Sequence, residues 1–177
     1  VDGVLEGFVI VADEIKTDAA ASVSKMKALG IATVMLTGDE KNSAQAVAKE
    51  TGIDEVYAQL LPQEKLEHLK NVRKNHGAVM FVGDGINDAP ALARADVGVA
   101  IGAGTDVAIE SADIVLMKSD LMDAVTAVKL SRATIKNVKE NLFWAFFYNT
   151  ICIPLAAGLW YPAFGIKLSP MIGAAAM

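Results

Sequence analysis

Two short stretches place carboxylates where they can do chemistry. In 79-VMFVGDGINDAPALA-93 an apolar run reaches Gly83, and Asp84, Asn87 and Asp88 crowd into five residues before a helix-like tail. In 36-LTGDE-40, Asp39 follows another apolar run, behind Thr37 and Gly38. Carboxylates this close repel one another unless a cation stands between them. A carboxylate at a strand end, beside the N–H groups of a helix start, can bind Mg²⁺ while neighbouring amides hold phosphate oxygens. Phosphoryl transfer needs such a device, because its catalysis is mostly positioning and charge neutralisation. Thr37 offers a hydroxyl and a backbone amide to a phosphate oxygen. In 62-PQEK-65 a proline opens a helix and Lys65 follows a turn later, supplying the missing positive charge. Taken singly, Thr-Gly-Asp is more often a capped turn, and a helical lysine is usually just solvated. The Asp84 loop, with two glycines, two aspartates, an asparagine and a proline, exceeds what a cap requires.

The elements that must hold these groups are legible from periodicity. Apolar runs at 8-FVIVA-12, 33-TVML-36, 79-VMFV-82, 97-VGVAI-101 and 113-DIVL-116 alternate with helix-like stretches around 18–29, 42–51, 63–75, 88–94 and 105–111. That alternation predicts an α/β layer with a mostly parallel sheet flanked by helices. Ligands in such sheets sit beyond the carboxyl ends of the strands, which selects Thr37-Gly38-Asp39, Gly83-Asp84-Gly85 and Asp13.

Charge divides the 177-residue chain. All 21 acidic and 15 of the 16 basic residues lie within 1–140, and Lys167 is the sole formal charge from Asn141 onwards. A hydrophobic fraction of 53% and mean hydropathy of +0.37 fit a soluble part joined to a membrane part. Residues 1–120 read as cytoplasmic domain and 121–140 as a stalk helix carrying a basic collar of Lys129, Arg132, Lys136 and Lys139. The uncharged run 141–160 has the length of about 20 residues that spans a bilayer. Residues 161–167 read as a turn on the far side and 168–177 as the start of a second span. The collar puts the amino end of the first span in the cytoplasm, and Trp160 and Tyr161 suit an aromatic belt. The net charge of −5 and the lack of a basic stripe with interleaved aromatics exclude a nucleic-acid surface. A single cysteine, Cys152, excludes an internal disulfide framework. A first residue other than methionine and an ending inside an apolar run suggest a piece of something longer.

These motifs carry a resemblance. 83-GDGINDAPAL-92 is similar to the hinge signature of P-type ATPases, 36-LTGDE-40 to their Thr-Gly-Asp motif, and 62-PQEK-65 to their Pro-x-x-Lys helix. The likeness continues through 96-DVGVAIGAGTDVAIESADIVLM-117 and resembles the heavy-metal branch. Tyr148-Asn149 in the first span, then Ser169-Pro170-Met171 and the alanine run to Met177, resemble the copper(I) pumps.

The resemblance implies a haloacid-dehalogenase-like (Rossmann-like) α/β fold followed by transmembrane α-helices, in which an aspartate takes the γ-phosphoryl group of ATP and the aspartyl phosphate is then hydrolysed. It implies Asp84 as the Mg²⁺ ligand, with Asn87 and Asp88 completing the loop around phosphoryl group and metal. Thr37 and Gly38 would hold phosphate oxygens, Asp39 would order the site or contact nucleotide, and Lys65 would offset phosphate charge. The family's Asp-Lys-Thr-Gly-Thr motif is absent here, so the nucleophile is expected outside this chain. Asp13 is a poor substitute: Ile15 stands where soluble phosphatases of this fold carry a general acid, and Asp13 with Lys16 matches a non-nucleophilic Asp-x-x-Lys of the pumps.

Within the span, Tyr148 and Asn149 are polar groups among apolar ones, where function is the default reading. Soft copper(I) favours sulfur, making Met177 the expected third ligand of the transported ion, while Cys152 and Met171 are expected to pack against neighbouring helices. Pro154 is the expected kink, and the stalk helix is expected to transmit motion from the phosphorylation domain. The expected partners are the nucleotide-binding and actuator domains and other membrane helices of the same pump, the lipid bilayer, and a copper chaperone, with the pump in the cell membrane. Silver is the nearest alternative cargo. Zinc pumps typically carry lysine and aspartate in these spans, and neither appears. A membrane-anchored phosphatase would need a nucleophile with a nearby acid, and a receiver-like signalling module would need its acidic pair earlier in the chain.

Overall fold

The computed structural model describes residues 14–83, 86–102, 106–118, 120–157 and 165. Asp13, Asp84, Met171, Met177 and the run 8-FVIVA-12 lie outside them, as do Trp160 and Tyr161. Two units divide the chain, Val1–Ala127 and Val128–Met177.

In the first unit helices and short strands alternate: α1 (Ala19–Ala28), β1 (Val34–Leu36), α2 (Lys41–Thr51), β2 (Glu55–Tyr57), α3 (Pro62–His76), β3 (Met80–Gly83), a 3₁₀ turn (Ile86–Asp88), α4 (Ala89–Leu92), β4 (Val97–Ile101), α5 (Asp106–Ser111) and β5 (Ile114–Leu116). The last helix, α6, runs Leu121–Ala156. Every strand pairing among the described residues is parallel: β1 with β2, and separately β3 with β4 and β4 with β5. Such pairs need crossover connections, which the intervening helices provide. Helix limits follow local chemistry. Pro62 opens α3, and Glu64 accepts the Leu61 N–H at 2.8 Å. Gly52, at φ +80°, ends α2 by donating its N–H to the Ala48 carbonyl.

The core lies around β4, whose Val99 and Ala100 are fully buried, with Leu92 of α4 and Val125 of α6. Gly98 makes the α4–β4 approach possible, because a Cβ there would collide with the Leu92 carbonyl oxygen.

The amino-terminal edge of the strands carries a repeated device. Asp54, Asp96 and Asp113 each stand immediately before a strand. Their carboxylates accept N–H groups at the start of the neighbouring strand: Thr33 to Asp54 at 2.9 Å, Val79 to Asp96 at 2.9 Å and Gly98 to Asp113 at 2.8 Å. Lys27 pairs with Asp54 and Arg73 with Asp96, both at 2.6 Å. The Lys27 ammonium, helped by the Thr33 amide and hydroxyl, holds the Asp54 carboxyl down to about 2. At the start of α6, Asp18 accepts the Leu121 N–H at 2.8 Å and Asp120 accepts that of Met122 at 2.7 Å. Hydrogen bonding to Asp120 and these helix amides hold the Asp18 carboxyl below its usual range.

In the second unit the described part of α6 exposes Leu142, Phe143, Trp144, Phe146, Phe147, Ile151 and Ile153. Among the described residues no helix is long and apolar enough to cross a membrane. The reason is one of length: the uncharged part of α6 within the described residues, 141–156, falls short of the about 20 residues a bilayer requires.

Candidate active site

β1 ends at the Thr37-Gly38-Asp39 turn and β3 at Gly83, and α3 lies between the two strands in the chain, with Lys65 reaching Asp88 in the 3₁₀ turn that follows β3. Beyond β1, the Thr37 amide donates to the Tyr57 carbonyl at 3.0 Å, extending the ladder to β2 by one bond. That amide is therefore engaged, and of the two Thr37 donors expected at a phosphate oxygen only the hydroxyl remains. The hydroxyl donates to Asp39 Oδ2 at 2.6 Å and accepts the Asp39 N–H at 3.1 Å, closing the turn on itself. The segment after β2 is sewn to the same turn. Gln59 donates its N–H to the Asp39 carbonyl at 2.9 Å and Leu60 donates to the Thr37 carbonyl at 3.0 Å. Gln59 adopts φ +58°, a left-handed conformation uncommon for a residue with a side chain. Gly38 faces the Leu60 carbonyl, which a Cβ would meet at 3.4 Å.

This stitching leads directly into Pro62 and Lys65 on α3. Lys65 Nζ lies 2.9 Å from Asp88 Oδ1, and both side chains are 16% exposed. Asp88 also packs on the end of β3: a Cβ on Gly83 would stand 2.9 Å from both Cβ and Oδ2 of Asp88. The four expected groups Thr37, Asp39, Lys65 and Asp88 thus fall on one continuous path, from the β1 turn through residues 57–61 and α3 to the β3 turn. Asn87 is exposed in the 3₁₀ turn beside Asp88.

Sequence reasoning missed Tyr57, Gln59 and Leu60, which fix the Thr37 turn through backbone groups. Only the short apolar-flanked run before Pro62 hinted at them.

Between β1 and β3 lies a cavity of about 680 Å³, lined by Val34, Met35 and Leu36 on one side and Met80, Phe81 and Val82 on the other. Asp88 reaches its wall. Among the described residues β1 and β3 do not pair with each other.

Mg²⁺ takes hard oxygen ligands and is often bound by one or two carboxylates completed by phosphate and water. Asp88 is a carboxylate of that kind at the end of β3, and Asp84, four residues earlier in the sequence, lies outside the described residues. Among the described residues there is no cluster of three or more potential metal-ligating side chains.

Tyr148 and Asn149 are consecutive on α6, Tyr148 half-buried and Asn149 exposed. Cys152, a free thiol, follows one turn after Tyr148.

Residues 1–96 match the family described as haloacid dehalogenase-like hydrolase. The chain is 53% identical over 175 residues to a copper-exporting P-type ATPase of Vibrio cholerae, covering 99% of this chain and 19% of that protein. It is 51% identical over 177 residues to copper-transporting ATPase 2 of Rhizobium meliloti, covering 100% of this chain and 21% of that protein. Its structure resembles a zinc-transporting PIB-type ATPase solved in the E2.Pi state, with a TM-score of 0.78 and 37% identity over 93% of this chain and 26% of the other. The chain spans about a fifth of the length of the curated relatives it matches. The chain belongs to the haloacid dehalogenase-like hydrolase family, and along its whole length it matches a part of heavy-metal P-type ATPases.

Proposed function

We propose that this chain is the second part of the phosphorylation domain and the adjoining membrane region of an ATP-driven copper(I) export pump. The observation that carries the reading is the shielded Lys65–Asp88 ion pair at the end of β3, with the Thr37–Asp39 turn at the end of β1 connected to Lys65 through the segment that leads into α3. In the pump an aspartate on another segment accepts the γ-phosphoryl group of ATP and later loses it to water. The cavity between β1 and β3 supports this division, since it leaves room for a further segment beside Asp88.

Asp84 and Asp88 would hold Mg²⁺, which when bound neutralises phosphoryl charge. Lys65 binds Asp88 in the absence of phosphate and is positioned to share its charge with an incoming phosphoryl oxygen. Thr37 reaches the phosphate when its hydroxyl turns away from Asp39, and Asp39 then keeps the turn closed through its backbone bonds. Asn87, exposed beside Asp88, lines the phosphoryl side of the loop.

The uncharged end of α6 and residues 157–160 form a membrane span, with 168–177 starting the next. Tyr148, Asn149 and Met177 would bind the transported ion. The copper-transporting relatives and the Tyr-Asn pair favour copper(I), and silver(I) shares its softness. Lipid contacts and docking of a copper chaperone belong to the same reading, as does a place in the cell membrane with residues 1–140 in the cytoplasm.

The test is phosphoenzyme formation. The intact pump should form an acid-stable phosphoenzyme from ATP and lose it on Asp84→Asn, and this chain alone should form none. A phosphoenzyme on the isolated chain would place the nucleophile within it and overturn the reading. Stimulation of the intact pump's ATPase by zinc(II) but not copper(I) or silver(I) would reassign the cargo.

A further inference from the structure

We propose that α6 carries a binding site for an anionic phospholipid headgroup of the cytoplasmic leaflet, formed by Arg132, Lys136 and Lys139 next to Trp144. The proposal rests on the membrane-span reading of the later part of α6.

Lys129, Arg132, Lys136 and Lys139 stand at i, i+3, i+7 and i+10, which places all four on one face of the helix. From Ala124 to Lys139 no carboxylate interrupts them. Along this face Lys136 is paired with Glu140 at 3.7 Å, with its side chain 78% exposed. That long, open pair leaves a net positive band. The opposite side of the same turns carries the exposed aliphatic residues Leu130, Val138 and Leu142. The aliphatic side suits packing against neighbouring helices, whereas burying four cations there would strip their hydration with no matching anions. The basic face therefore points outward.

One turn beyond the last cation the chemistry changes. Phe143, Trp144 and Phe147 contact one another, with ring centroids 5.5 to 6.0 Å apart. Phe143 and Phe147 continue the basic face, and only uncharged residues follow to the end of α6. Cations, then a tryptophan-containing aromatic cluster, then apolar side chains reproduce the order of headgroup, interface and acyl region of a leaflet. An open depression along the helix surface joins the first two layers, lined by Arg132, Ile135, Lys136, Lys139, Phe143 and Trp144, with Glu140 at its edge. A phosphodiester seated there would meet three cations, while its acyl chains ran along the rings. Arg132 adds the forked geometry that matches phosphate oxygens.

The intact pump carrying this chain is placed in phosphatidylcholine nanodiscs containing either brominated phosphatidylglycerol or brominated phosphatidylcholine at equal mole fraction. Quenching of Trp144 emission is isolated by subtracting the Trp144→Phe variant. A basic side chain at an anionic surface favours binding by roughly five-fold, so the phosphatidylglycerol preference should be large. Replacing Arg132, Lys136 and Lys139 together by Gln should lower it by more than about ten-fold, and Arg132→Lys should keep most of it. Free inorganic phosphate should not compete it away. Equal quenching by both lipids would overturn the site but leave the membrane span standing, and no quenching by either would overturn the span. A preference that survives the triple substitution, or that inorganic phosphate abolishes, would also overturn the proposal.

Discussion

Lys65 Nζ and Asp88 Oδ1 meet at 2.9 Å, and this ion pair is the bond between side chains that ties α3 to the turn after β3. With both groups largely shielded, neither can lose its partner cheaply. Lys65→Met should destabilise the first unit by about 1.5–3 kcal/mol, the range for losing a hydrogen bond to a charged group. Adding Asp88→Asn should cost less than the two single changes summed, because both act on one pair. Thermal unfolding of the two single variants and the double variant measures the coupling, and strict additivity would show that the pair contributes nothing.

Gly83→Ala tests the placement of Asp88. The new methyl would stand 2.9 Å from Asp88 Cβ and Oδ2, well inside the usual carbon contact of about 3.5–4.0 Å. The carboxylate must move, and its bond to Lys65 must lengthen. Phosphorylation of the intact pump by ATP should fall by about ten-fold or more, equivalent to roughly 1.4 kcal/mol on the barrier. Unchanged phosphorylation would mean that Asp88 need not occupy this position.

Gly98→Ala should act in the opposite sense, on folding before chemistry. Its Cβ would collide with a backbone oxygen of α4, at Leu92, rather than with a movable side chain. Overpacking of this kind costs about 1–3 kcal/mol. The expected outcome is a lowered thermal midpoint, with near-normal phosphorylation in whatever fraction remains folded.

The pH dependence of Asp54 has a defined direction. Its carboxyl is held down to about 2 by Lys27 and Thr33, against about 3.9 in an unfolded chain. The folded state therefore binds the proton less readily, and the gain in stability is complete above the unfolded value. It disappears as pH falls from about 4 towards about 2. Asp54→Asn should lower the thermal midpoint at pH 6, and the difference from the unchanged protein should shrink through that acidic window. A constant difference would remove ionisation from the explanation.

Much of the architecture was legible in sequence because apolar runs and helix punctuation agreed. The runs 33–36, 79–82, 97–101 and 113–116 become β1, β3, β4 and β5 within a residue, and Pro62 opens α3. β2 was missed because 55-EVY-57 is too short to show a period and begins with a charge. The Thr37, Lys65 and Asp88 side chains could be named from their neighbours in sequence. Their connection through residues 57–61 could not, because it runs through backbone amides and carbonyls, which every residue possesses. Nor did the sequence mark Asp54, Asp96 and Asp113 as a set. Each looks like an ordinary turn residue until the neighbouring strand is known.

Those three aspartates have a mechanical consequence. A parallel pair of strands as short as these could slide by one step, and such a slip would turn every side chain to the wrong face. By gripping an N–H at or just before the start of the adjacent strand, Asp54, Asp96 and Asp113 act as pegs that fix where the strands begin to pair. The opposite rim is held differently: the Thr37–Asp39 turn is tied by its own side chains and by the amides of Gln59 and Leu60, and Gly83 is packed by Asp88. The amino-terminal rim is thus where the register of these sheets is anchored.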